Sequence, residues 1–158
     1  MTYKVITSQH EAERLAEQIF TCDDKPIIYI DYNDLRTLKK MSTLKYALSI
    51  KVYYSERFVD EVMKTIRELP IPITELRTYV LHVRVNHTEP SLTYENIGNL
   101  MHHVRNLKDT DSSDEYLQGL HTLTNHLSIP VGEWHINMIF GVDKTEEDHP
   151  EDEKQARL

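Results

Sequence analysis

Pro26-Ile-Ile-Tyr-Ile-Asp-Tyr-Asn-Asp-Leu-Arg-Thr-Leu38 is the stretch on which the reading of this chain turns. Pro26 to Ile30 is a short apolar run with the length of a strand. It passes through an acidic turn into a helix that carries Leu35, Leu38 and Met41. Asp31 or Asn33 can cap that helix, and Asp34 falls in its first turn, where the helix dipole favours a negative charge. Upstream, Ser8 to Phe20 repeats Ala12, Leu15, Ala16 and Ile19 at helical spacing, with Glu13, Glu17 and Gln18 opposite. Ser8 and Glu11 have the spacing of a capping box.

Working outward, the pattern alternates between strand and helix. Tyr46 to Tyr53, Arg77 to Val85 and Trp134 to Val142 read as strands, the second with Tyr79, Leu81, Val83 and Val85 against Val80, His82 and Arg84. Between them, Ser55 to Leu69 places Phe58, Val59, Val62, Met63, Ile66 and Leu69 on one helical face, and Pro70-Ile-Pro72 ends it. A third helix follows the cap Thr93, with Ile97, Leu100, Met101, Val104 and Leu107 on one side. The expected fold is an α/β two-layer sandwich: a mixed sheet of about four strands with helices mainly on one face. Asp109 to Asp114 reads as a polar linker. It leads to a further short helix over Glu115 to Leu127 with Tyr116, Leu120, Leu123 and Leu127 inward. Residues 144–158 are too acidic to pack and read as a disordered tail.

The order of these pieces resembles FtsZ, the bacterial tubulin-like GTPase. There the opening stretch is of the type P-G-L-I-N-V-D-F-A-D-V-K/R-T-V-M. Tyr46-Ala-Leu-Ser-Ile-Lys-Val52 is similar to the family strand G-Y-A-L/M-M-G-I-G. Leu92-Thr-Tyr-Glu-Asn-Ile-Gly-Asn-Leu-Met-His-His-Val-Arg105 resembles L-S-L-E-E-V-x-E-V-M-x-x-V-R, and Asn137-Met-Ile-Phe-Gly141 resembles N-I-I-W-G. The resemblance covers roughly residues 8 to 142. It implies that residues 1–143 form one FtsZ C-terminal-like domain, with 109–130 as an insertion atypical of the family. In the family, the two loop carboxylates complete the GTP-hydrolysis site of the next subunit in a filament. The resemblance puts Asp31 and Asp34 at those positions and makes Tyr29, Tyr32, Asn33 and the two aspartates a partner-binding surface.

Departures from the family pattern set the functional expectation. The glycine-rich phosphate loop G-G-G-T-G-S/T-G has no counterpart here, since Gly98, Gly119, Gly132 and Gly141 are isolated. The loop Asn of the family is Tyr29, and its strand glycines become Lys45, Ile50 and Val52. The family's final strand, of the type R-V-T-V-I-A-T-G, has no match, and Thr2 to Thr7 alternates well enough to fill the vacated edge. The expectation is therefore a non-catalytic, free-standing module that binds FtsZ or another tubulin-like protein, or self-associates, and regulates filament assembly or a partner's GTP hydrolysis. The alternative is a small α/β enzyme or ligand-binding domain sharing only the architecture. A subunit whose homo-oligomer is its function is a third.

Composition excludes other classes. A net charge of −8 without a dense Lys/Arg cluster argues against nucleic acid. No apolar run approaches the ~20 residues of a membrane span, and no signal pattern precedes the domain, so the expected location is cytoplasmic. The single Cys22 cannot form an intramolecular disulfide and has no activating neighbour in sequence. Nine histidines raise the question of a metal. His102 and His103 are adjacent and diverge on a helix, while His121 and His126 are an imperfect helical pair, so neither metal nor cofactor is expected.

Overall fold

A computed structural model of the chain describes residues 1–21, 25–28, 32–108 and 116–144. Its elements are β1 (Thr2–Ile6), α1 (Gln9–Thr21), β2 (Lys25–Ile28), α2 (Tyr32–Met41), β3 (Thr43–Tyr53), α3 (Phe58–Glu68), a 3-10 turn (Ile73–Glu75), β4 (Leu76–Val85), α4 (Tyr94–Arg105), β5 (Gln118–Asn125) and β6 (Glu133–Val142). The strands form one mixed sheet in the order β1-β3-β6-β4-β5-β2. All neighbours are antiparallel except β4 and β5, which run parallel. A parallel pair needs a long crossover, and α4 supplies it.

Side chains alternate across the pleat, so each strand feeds two layers. One face presents Leu48, Ile50, Val52, Tyr79, Leu81, Val83, Trp134, Ile136, Met138 and Phe140 to the apolar stripes of α3 and α4. The other presents Ile6, Ala47, Val80 and Ile139 to Ala12, Ala16 and Ile19 of α1 and to Leu35 and Leu38 of α2. The stripes read from sequence for α1, α3 and α4 face the sheet, with Leu15, Leu69 and Met101 half-buried at their margins, and Thr93 Oγ1 accepts from Asn96 N at 3.1 Å to cap α4. At the start of α1, Ser8 Oγ lies 3.5 Å from Glu11 N.

The α/β sandwich class holds, with three changes of detail. The sheet has six strands rather than about four, because the two short segments β1 and β2 pair at its two edges. The helices are divided between both faces, since β3, β4 and β6 carry apolar residues of both parities. The segment expected as a helix over Glu115 to Leu127 contains the strand β5, with its side chains alternating and Leu127 exposed. Gly119, Thr122 and Thr124 weaken a helix there, and pairing of the whole length of β5 with β4 decides the outcome.

β6 is central, bonded to β3 on one side and β4 on the other, and β1 adds outside β3 with Tyr3 opposite Ile50 and Val5 opposite Leu48. Lys144 ends the described residues, and the tail expected beyond it lies outside them. No helix among the described residues is long and apolar enough to cross a membrane.

Candidate functional site

The acidic turn singled out in the sequence is described in part. Tyr29 and Asp31 lie outside the described residues, as does Cys22. Tyr32 opens α2, and Asn33 and Asp34 are exposed in its first turn. Leu35 and Leu38 on the opposite side are buried, which fixes the rotation of the helix and turns Asp34 outward. Met41, expected on the buried side, is exposed. Lys39 Nζ bonds Glu17 Oε1 at 2.9 Å and ties α2 to α1, and Thr37 Oγ1 donates to the Asn33 carbonyl at 3.0 Å. A carboxylate on a first turn sits well with the helix dipole.

A second constellation was not visible in the sequence. The parallel register sets Tyr79 of β4 beside Gly119 of β5. With no side chain at residue 119, the phenol lies across it, and its hydroxyl meets His121 Nε2 at 2.5 Å. Arg105, the last residue of α4, places its guanidinium 5.0 Å from the centroid of the Tyr116 ring. These groups, with Gln118, line a cleft of about 460 Å³. Reading residues 115–127 as a helix separated Tyr79 from His121. The one available signal was the glycine facing a tyrosine in the neighbouring strand.

Burial sets the protonation of the two polar rings in the cleft. Burial pushes the Tyr79 phenol up to about 12, against an opposing pull from Arg105. Burial pushes the His121 imidazole below its ordinary value, and Arg105 acts in the same direction. At neutral pH the pair is thus a protonated phenol and an uncharged imidazole. Among the described residues, those lining the cleft include no carboxylate, thiol or aliphatic hydroxyl. No group of three or more potential metal ligands exists among the described residues.

The raised phenol has a measurable consequence. Below pH 10, the phenol is protonated in both the folded and unfolded chain, and its contribution is fully present. Above pH 10 the unfolded chain releases the proton while the folded chain keeps it, so stability falls until the folded value near 12 is reached. The expected loss from Tyr79 is about 2 kcal/mol between pH 10 and 12. Urea unfolding of wild type and Tyr79→Phe across this range tests it, because Phe removes that slope and leaves the contributions of the other tyrosines. Parallel pH profiles for the two proteins would contradict the assignment. The histidine acts at the other end: its contribution is present above pH 6.5 and is lost as pH falls through its lowered value.

Comparison with known proteins finds no matching family model and no matching curated protein. Among solved structures, the chain is similar to an empty FtsZ dimer from M. jannaschii, with a TM-score of 0.57 and 16% sequence identity. The match covers 83% of this chain and 36% of that one, so the chain spans about a third of that protein's length. At such identity the likeness concerns the fold alone. Over most of its length, this chain has an FtsZ-like α/β fold.

Proposed function

We propose that the chain is a non-catalytic interaction module, a counterpart of the FtsZ C-terminal domain that binds FtsZ, another tubulin-like protein or a second copy of itself. The observation that carries this reading is the exposed acidic start of α2, with Asn33 and Asp34 outward on a helix locked by Leu35 and Leu38, in a chain with an FtsZ-like fold. The absence of a phosphate-gripping loop from these residues supports a role through a partner rather than nucleotide turnover of its own. The residues proposed to make the contact are Asp31, Asp34, Tyr29, Tyr32 and Asn33, of which Asn33 and Asp34 are exposed and Tyr29 and Asp31 lie outside the described residues. Filament assembly or the partner's GTP hydrolysis is the step it regulates.

Mixing the purified protein with FtsZ and GTP tests this directly. At several-fold excess, the protein changes either the amount of FtsZ that sediments or the rate of phosphate release. Asp34→Ala removes most of that effect while lowering stability by about 1 kcal/mol or less, since the residue is exposed at a helix start. No change in sedimentation or phosphate release, together with a monomer in sedimentation velocity, would defeat the proposal.

The cleft favours a second reading, a small ligand-binding domain. Arg105 supplies a cation and His121 a neutral imidazole beside a planar Tyr116 ring, a combination suited to a small carboxylate or phosphate. Binding of such an anion that is lost in Arg105→Ala supports this reading.

A further inference from the structure

The sheet face that carries α1 and α2 is apolar at Leu44 and along the cross-strand row Ile6–Ala47–Ile139–Val80, and turns polar beyond that row. The next row is Lys4–Ser49–Asn137–His82, and the one after it is Thr2–Lys51–His135–Arg84. These two polar rows make a shallow depression of about 320 Å³. Its floor is ordered by side-chain bonds. Ser49 Oγ donates to Asn137 Oδ1 at 2.7 Å, Asn137 Nδ2 lies 3.4 Å from His82 Nδ1, and His82 Nε2 lies 3.0 Å from Thr124 Oγ1.

Charge is segregated here. The chain carries a net charge of −8, yet the six strands among the described residues contain one carboxylate, Glu133, against six lysines and arginines, three of which, Lys4, Lys51 and Arg84, lie on these two rows. Glu133 is engaged by His135 at 2.6 Å. Lys4 and Lys51 are exposed and make no ion pair among the described residues. Arg84 is half-buried on the far side of β6.

We propose that this face binds an extended acidic segment of a partner protein, its carboxylates meeting Lys4, Lys51 and Arg84. The spacing selects the occupant. Lys51 and Arg84 stand on strands separated by β6, about two inter-strand spacings or ~10 Å apart at the backbone. A single phosphate needs donors that converge on one point, whereas Lys51 and Arg84 stand on strands separated by β6. An extended chain places carboxylates ~7 Å apart at every second residue and ~10 Å apart at every third, which matches the distribution of the cations. Ser49 and Asn137 lie between them to meet backbone amides. This surface is separate from the start of α2 and does not depend on the function proposed above.

A fluorescein-labelled hexaglutamate peptide, followed by anisotropy at 50 mM salt, is the probe. Binding is expected to weaken about tenfold or more in Lys4→Glu/Lys51→Glu, and to weaken strongly when salt is raised several-fold. Lys64→Glu, an exposed reversal on α3 at the opposite face, changes affinity less than twofold if net charge alone is not responsible. Circular dichroism and thermal melting of each variant establish that the fold is intact, and Lys51→Ala is the milder substitute if the double reversal unfolds. Absence of peptide binding at millimolar concentration would overturn the proposal. So would equal loss in the Lys64 variant, or tripolyphosphate binding more tightly than the peptide.

Discussion

Trp134→Ala is expected to lose about 4 kcal/mol of stability, lowering the urea midpoint by about 2 M. The indole is fully buried, with its ring centroid 4.7 Å from that of Phe58. Its loss removes the largest side chain in the core between the sheet and α3 and leaves a cavity that these packed elements cannot close. A second cost is polar. Trp134 Nε1 donates to Ser91 Oγ at 2.8 Å, and Ser91 Oγ donates to Glu89 Oε2 at 2.7 Å. Glu89 is itself buried and also accepts from the backbone N–H groups of Ser91 and Gly132. This chain of bonds joins the β4–α4 loop to the β5–β6 loop, so the substitution loosens the end of the sheet as well as its core. Trp134→Phe keeps one aromatic ring against Phe58 while forfeiting the N–H and part of the indole's volume, for an expected loss of about 2–3 kcal/mol. Since this is the sole tryptophan, unfolding of both variants is followed by circular dichroism. A Trp134→Ala protein as stable as Trp134→Phe would mean that the indole is not packed as described.

The difference between what the sequence yields and what it conceals follows from the range of the interactions involved. The stripe of α3 is local: Phe58, Val59, Val62, Met63 and Ile66 share a face because of helix geometry alone, and all are buried. The alternation of β4 is equally local, although Val80 and His82, on the side read as more polar, are buried too, because α1 and its neighbours cover part of that face. Segment 118–125 is different. Leu120, Leu123 and Leu127 recur at helical intervals, while Thr122, Thr124 and Gly119 favour a strand. The tie is broken by β4, about forty residues away in sequence, which no local pattern contains. The cleft was hidden for the same reason, because Tyr79 meets His121 only once the parallel register is set. At the acidic turn, helix rotation set by Leu35 and Leu38 was legible, and it puts Asn33 and Asp34 outside.

Gly119→Ala separates the two readings of this segment because they predict opposite signs. In a helix interior, replacing glycine by alanine stabilises by about 1 kcal/mol. In the strand, the new methyl group would lie 2.1 Å from Tyr79 Cζ and 2.3 Å from Cε1. The phenol cannot swing away freely: Tyr79 is 1% exposed and its hydroxyl is held by His121. Either the ring leaves its rotamer or β5 is displaced from β4, and the expected cost is about 3 kcal/mol, at the upper end for overpacking. The contact also predicts non-additivity. In a Tyr79→Val background the methyl group enters space the ring has vacated, so Gly119→Ala there costs less than about 1 kcal/mol. Urea unfolding of the four proteins in this cycle measures the coupling. A stabilised or unchanged Gly119→Ala protein would restore the helical reading and dissolve the Tyr79–His121 cleft with it. A destabilisation that disappears when Tyr79 is replaced would establish that a glycine under an aromatic ring, rather than the leucine spacing, determines what this segment becomes.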